Sequence, residues 1–190
     1  MPYDALTGFH NPAADPELAA RAERLKQLGL GEPDAHFDRL ATELAGAADT
    51  PYAMVNLITD QQFFVGLHTP EGTRHTMVPQ DHTASEVGRV MSRDHGYCPE
   101  VLSRRKPLVL PDVYAAPRFA GNPVVDELGI RVYLGAPLID PHTDLVLGTV
   151  CAVGTEPRPL DSGHNSLQLI KQVRDEAMRL IYERAGERLP

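Results

Sequence analysis

In "DPELAARAERLKQLG", Leu18, Ala22, Leu25 and Leu28 recur at spacings of 4, 3 and 3, opening with Asp15 before Pro16 and stopping at Gly29. This predicts a capped amphipathic helix over 15–29. A second helix is predicted in "DAHFDRLATELAGAA", where Phe37, Leu40, Ala41, Leu44 and Ala48 share one face and Asp34 stands at the cap position. The period then shortens to strand-like runs. "YAMVNLIT" and "QFFVGLH", separated by Asp60 and Gln61, read as an antiparallel hairpin. Residues 69–84 carry Pro70, Gly72 and Pro79 among polar side chains, predicting an irregular or partly helical cover, and "SEVGRVM" shows a helical spacing in Val87, Val90 and Met91.

Further on, "KPLVLPDV" reads as a short strand ended by Pro111. In "YAAPRFAGNPVVDELG", Asn122 before Pro123 and Gly129 after Leu128 frame a short capped helix. "IRVYLGAPLID" and "DLVLGTVCAVGT", joined by "PHT", form a second hairpin. The last helix, 163–185, places Ile170, Val173, Ala177, Leu180 and Arg184 near a short heptad seam, which suits either a dimer contact or packing on the chain's own sheet. Helices at both ends and consecutive strands between them predict an α+β fold: a mostly antiparallel sheet with terminal helices on one face and the middle segments on the other.

Composition narrows the function. With 190 residues the chain suits one folding unit. Its organisation reads as an N-terminal segment and helix (1–36), a central domain (37–160) and a C-terminal helix (161–190). The net charge of −8, with no basic run longer than Arg104, Arg105 and Lys106, argues against nucleic acid as a partner. No stretch approaches a membrane span, the start lacks a signal pattern, and a cytoplasmic location without membrane contact is expected. Two cysteines, Cys98 and Cys151, make no CxxC pair and no disulfide framework. His68, His75, His82 and His95 invite a zinc drawing, but regular spacing in loop sequence has no geometric meaning, and no metal or cofactor is expected. Hydrolase and kinase signatures are absent from the sequence, so no catalytic residue is assigned.

The segments "RLATELAGAADTPYAMVNLITDQQFFVGL", "GYCPEVLSRRKPLVLPDVYAAPRFAGNPVV" and "GIRVYLGAPLIDPHTDLVLGTVCAVGTEPR", in that order, resemble the GAF domain family. They are most similar to a bacterial subgroup with a central cysteine. The resemblance implies a six-stranded antiparallel sheet between terminal helices, with a small-molecule cavity roofed by the middle segments. Departures from the family's patterns disfavour cyclic nucleotides, since Asp126-Glu127 stands without its companion motif, and a covalent bilin, since Pro99 rather than histidine follows Cys98. Members that reduce free methionine sulfoxide rely on a cluster of cysteines, which two cysteines match weakly.

Candidate site residues follow. Pro99 suits a first helical turn, which makes Cys98 the expected N-cap of "PEVLSRR", facing unpaired N–H groups that lower a thiol pKa. Arg93 and His95 would add to this effect and Glu100 would oppose it. Cys98 is then a redox-active thiol, with Cys151 as its conceivable partner, or a small apolar seal; Cys151, in mid-strand, reads as inert core. Strand alternation sends Ile130, Val132 and Leu134 to the helices and Arg131 and Tyr133 to the cavity. Arg131 either grips an anionic ligand or pairs with Asp112 or Asp126. Arg118 and Asn122 read as loop-building residues, and only one of Phe63 and Phe64 can face the cavity. The expected ligand lining is Tyr97, Cys98, Arg131, Tyr133, Asp112 and Phe64. The functional expectation is a sensor of an unidentified small molecule, a homodimer signalling to a separate protein; the alternatives are a thiol redox sensor or small oxidoreductase acting through Cys98, and a ligand-free dimerisation scaffold.

Overall fold

The computed structural model describes residues 15–76, 86–120, 122 and 129–189. Two helices lead: α1, Leu18–Gln27, and α2, Ala35–Ala48. Strands β1, Tyr52–Ile58, and β2, Gln61–His68, form the first hairpin. Three short strands follow: β3, Arg74–Thr76, β4, Glu86–Gly88, and β5, Val90–Ser92. Next come α3, Cys98–Arg104, β6, Leu108–Leu110, and the single turn α4, Pro117–Ala120. The chain closes with β7, Val132–Ile139, β8, Val146–Gly154, and α5, Gly163–Ala185.

Six strands make one sheet in the order β5-β2-β1-β8-β7-β6. Every neighbouring pair in it is antiparallel, whereas β3 and β4 form a separate parallel pair. The fold is α+β, with β1 and β8 at the centre of the sheet, where both faces are covered.

α2 and α5 cover one face, and the buried stripe of α2 (Phe37, Leu40, Ala41, Leu44) meets Val55, Val65, Val150 and Ala152 of the sheet. Asp34 caps α2 by accepting from the His36 N–H at 2.7 Å. The close seat of α2 on β2 needs Gly66, because a Cβ there would run into the Phe37 backbone carbonyl. Asp38 pins the same junction: it accepts from the Leu67 N–H at 2.8 Å and takes both oxygens' worth of the Arg89 guanidinium at 2.9 and 3.0 Å. α5 buries Ile170, Ala177 and Ile181 in this same core, so within the chain its apolar stripe packs on β6, β7, β8 and α2. Arg184, at the end of the expected seam, forms an ion pair with Asp34.

α1 joins through Leu25 and Leu28 and through Arg24, which bonds Asp140 at 2.8 Å and Glu187 at 2.7 Å. Asp140 is fully buried, and it also accepts from Thr143 at 2.6 Å and from the Tyr182 hydroxyl. One carboxylate thus ties the β7–β8 turn to both terminal helices.

Three expectations change. "SEVGRVM" is not helical: it supplies β4 and β5, with Val90 paired to Phe63 and Met91 to Gln62. The open edge of β2 needs main-chain partners, and Val90–Ser92 supply them, a need that one helical turn in isolation would leave unmet. Ile130 lies on the opposite face from Val132 and Leu134, buried with Tyr133, because β7 begins at Val132 and pleat alternation does not extend to residues before it. The helix start falls at Tyr97 rather than Cys98, leaving Cys98 as the first helical residue with Pro99 after it. The expected helix after Asn122, Asp126 and residues 77–84 of the expected cover lie outside the described residues.

Candidate functional site

The second face of the sheet carries its own buried cluster, formed by Tyr97, Cys98 and Val101 of the α3 segment, Leu108 and Leu110 of β6, and Ile58, Tyr133 and Cys151 from the sheet. α3 packs directly over β7 and β8. That placement sets the first helical residue above the middle of the sheet, and the Cys98 and Cys151 sulfurs lie 3.5 Å apart, both thiols free and buried.

A third group completes the cluster. Cys151 pairs across the ladder with Gly135, and the missing side chain there lets the Tyr133 ring lie flat along its own strand: a Cβ on Gly135 would collide with the Tyr133 hydroxyl and ring. The Tyr133 oxygen thereby reaches to 3.5 Å from the Cys98 sulfur. Tyr97 packs on Tyr133 with ring centroids 5.1 Å apart and donates its hydroxyl to the Phe119 carbonyl at 2.8 Å. Asn122 donates to the Gly96 carbonyl at 2.8 Å. Phe119 and Asn122 are therefore each hydrogen-bonded to a residue just before Cys98.

The thiols are electrostatically distinct. Cys98 is held down, to about 6, chiefly by its hydrogen bond with Cys151, against the opposing effect of burial and with help from Thr149, Tyr133 and Asn56. Cys151 is pushed well up, by the same bond to Cys98 and by burial. Tyr133 is also pushed up, by burial first and then by the negative charge developing on the sulfurs, and it stays a protonated donor. Of the two thiols Cys98 is the one whose ionisation is favoured, with the Cys151 thiol and the Tyr133 hydroxyl beside it.

Beneath them, Asn56 and Thr149 face each other across β1 and β8. Asn56 donates to Gln62 at 2.7 Å, and Gln62 in turn donates to the Ser92 and His95 carbonyls, both at 2.8 Å. This buried chain anchors the segment leading into α3.

The expected lining residues separate into groups. Tyr97, Cys98 and Tyr133 come together. Phe64 is buried on the same side but in a smaller group with Leu67 and Met91, at the β5 end of the sheet, while Phe63 packs toward the helices. Arg131 and Asp112 form a bidentate pair at 2.9 and 3.0 Å, with the guanidinium 4.4 Å above the Tyr114 ring. The Arg131 fork is thereby occupied by protein, and both residues lie partly exposed at the margin. Arg93 pairs with Asp15 and Glu100 with Arg118. Sequence reasoning missed Asn56, Gln62 and Thr149. The available signal was polar residues at inward positions of otherwise apolar strands, a pattern that marks buried polar networks. Among the described residues no group of His, Cys, Asp or Glu can hold a metal ion, and no helix is long and apolar enough to cross a membrane.

Among the curated proteins no sequence matches this chain. Solved structures share its fold. The GAF domain of a phosphoenolpyruvate-protein phosphotransferase from Acinetobacter superposes with a TM-score of 0.56 at 11% identity, covering 92% of this chain and 98% of that one. The type II free methionine-R-sulfoxide reductase of Thermoplasma acidophilum gives 0.55 at 10% identity over 78% and 92% of the two chains. The nlh2 GAF domain of A. aeolicus, in an inactive state, gives 0.53 at 16% identity over 88% and 95%. At such identities the likeness carries the fold alone. The sequence itself matches the GAF domain profile over residues 32–181, most of its length, and the chain belongs to the GAF domain family.

Proposed function

We propose that this GAF domain is a thiol-based redox sensor in which Cys98 and Cys151 interconvert between a dithiol and a disulfide. One observation carries the reading: the two sulfurs are 3.5 Å apart across the α3–sheet junction, already near the bonded separation of about 2.05 Å. The direction of the pKa shifts supports it, because the residue favoured as thiolate and the residue kept as thiol are neighbours. Closure would pull the start of α3 toward β8. Through Tyr97 and Asn122 it would also shift the 117–122 segment, a surface from which a separate partner protein can read the state. Metabolite sensing through Arg131 loses support, since that fork is held by Asp112.

The test is oxidation of the folded chain by diamide, followed by denaturing alkylation and peptide mass spectrometry. A reversible loss of two hydrogens per chain, with Cys98 and Cys151 peptides cross-linked, is expected. Both thiols remaining alkylatable after exhaustive treatment of the native protein would overturn the reading.

A further inference from the structure

Two buried polar atoms beside the dithiol are poorly met. Asn56 and Thr149 are fully buried, yet Asn56 Oδ1 accepts no hydrogen bond and Thr149 Oγ1 has no close partner, its hydroxyl leaning only on the thiol sulfurs. An unmet buried acceptor or hydroxyl is costly, and native interiors rarely leave two on one cross-strand pair without a use. Thr149 stands opposite Asn56 and two residues before Cys151 on β8, on the same face of the strand, and the Cys151 sulfur is 3.5 Å from that of Cys98, so a guest bonded to the two side chains lies beside the thiols. Together they offer one acceptor and one hydroxyl able to donate. Cys98 is 5% exposed and Cys151 1%, which selects for a small uncharged guest and against bulky or charged oxidants.

Resting on the dithiol reading above, we propose that Asn56 and Thr149 form the binding subsite for a hydroperoxide, ROOH, whose reduction closes the Cys98–Cys151 bond. The peroxide O–H donates to Asn56 Oδ1 and the Thr149 hydroxyl donates to the leaving oxygen. The Cys98 thiolate attacks the terminal peroxide oxygen: an S–O bond forms, the O–O bond breaks, and RO⁻ departs. RO⁻ takes the proton of the Cys151 thiol, giving ROH. The Cys151 thiolate then attacks the sulfur of the Cys98 sulfenic acid, the S–S bond forms and the S–O bond breaks, and the leaving hydroxide takes up the proton that Cys98 released to solvent on ionising, giving water. In sum, two thiols and ROOH become a disulfide, ROH and water.

The experiment measures rates of disulfide formation in the full chain with hydrogen peroxide, tert-butyl hydroperoxide and diamide, for the parent protein, Thr149→Val and Thr149→Ser. Thr149→Val keeps the shape of the side chain and removes the hydroxyl; its thermal melt checks that the variant folds. Because the Thr149 hydroxyl also helps hold the Cys98 thiol down, the reading is the ratio of the two rates: in Thr149→Val the peroxide rate should fall about tenfold or more beyond any fall in the diamide rate, with Thr149→Ser restoring the ratio. Reaction with hydrogen peroxide alone shows R to be hydrogen; reaction with both peroxides shows an alkyl group is accepted. An equal ratio in the parent and Thr149→Val, with diamide still closing the bond, would overturn the subsite and leave the redox switch standing. Failure of diamide as well would remove both.

Discussion

Oxidation should stabilise this domain by an amount the chain itself sets. Cys98 and Cys151 are 53 positions apart, and linking residues at that separation removes about 14 cal/mol/K of unfolded-chain entropy, or about 4 kcal/mol at 25 °C. Against this stands the movement that brings the sulfurs from 3.5 Å to about 2.05 Å. α3 is short, and its N-terminal approach is held by Gln62 and Asn122 through main-chain carbonyls, so we expect a net gain of about 2–4 kcal/mol. For a chain of this size that corresponds to a rise in melting temperature of up to about 15 °C. Urea unfolding of the fully reduced and fully oxidised protein, with Cys151→Ala under both conditions as control, measures it. The oxidised parent should unfold at higher urea, while the variant should ignore the oxidant. An oxidised form that unfolds at equal or lower urea would show that closure strains the α3–sheet junction more than it restrains the unfolded chain, and the geometric argument would fail.

Other expectations are as specific. Asp140→Asn strips the carboxylate from Arg24, Thr143 and Tyr182 and should cost about 3 kcal/mol in urea unfolding. Burial alone would raise the Asp140 pKa, but Thr143, Tyr182, Arg24 and the His142 N–H lower it from 3.8 to about 2. A carboxylate lowered on folding contributes stability that is present above the unfolded value and lost as pH falls through the folded one. The acid limb between roughly pH 4 and pH 2 should therefore flatten in Asp140→Asn, as read by pH-dependent melting. Gly135→Ala should push the Tyr133 ring off its seat, withdraw its hydroxyl from Cys98, and move the Cys98 titration upward from about 6, as followed by the cysteine Cβ chemical shift. Gly66→Ala sets a methyl group against the Phe37 carbonyl; since backbone meets backbone, α2 must lift from β2, and urea unfolding should show a loss of about 3 kcal/mol.

How much of this was legible beforehand differs by element. α1, α2, the β1–β2 and β7–β8 hairpins and α5 follow from apolar periods of 3.6 and 2 over runs long enough to average out exceptions. β5 escaped because its three residues carry no period of their own; they become a strand only when the β2 edge is there to pair with.

The order of elements, the α+β class and the presence of a covered second face were determined by local pattern, because periodicity is a property of neighbouring residues. Which side chains meet on that second face was decided by tertiary structure. Cys98 and Cys151 sit in different segments that read separately as a helix start and an inert strand position, and only the packing of α3 over β8 joins them. The same holds for the Arg131–Asp112 pair, whose partner was one of two open options, and for Tyr133, aimed at Cys98 by an absent Cβ two residues along its own strand. Side-chain alternation fixes a face, but contact across elements depends on where three separate pieces of backbone come to rest.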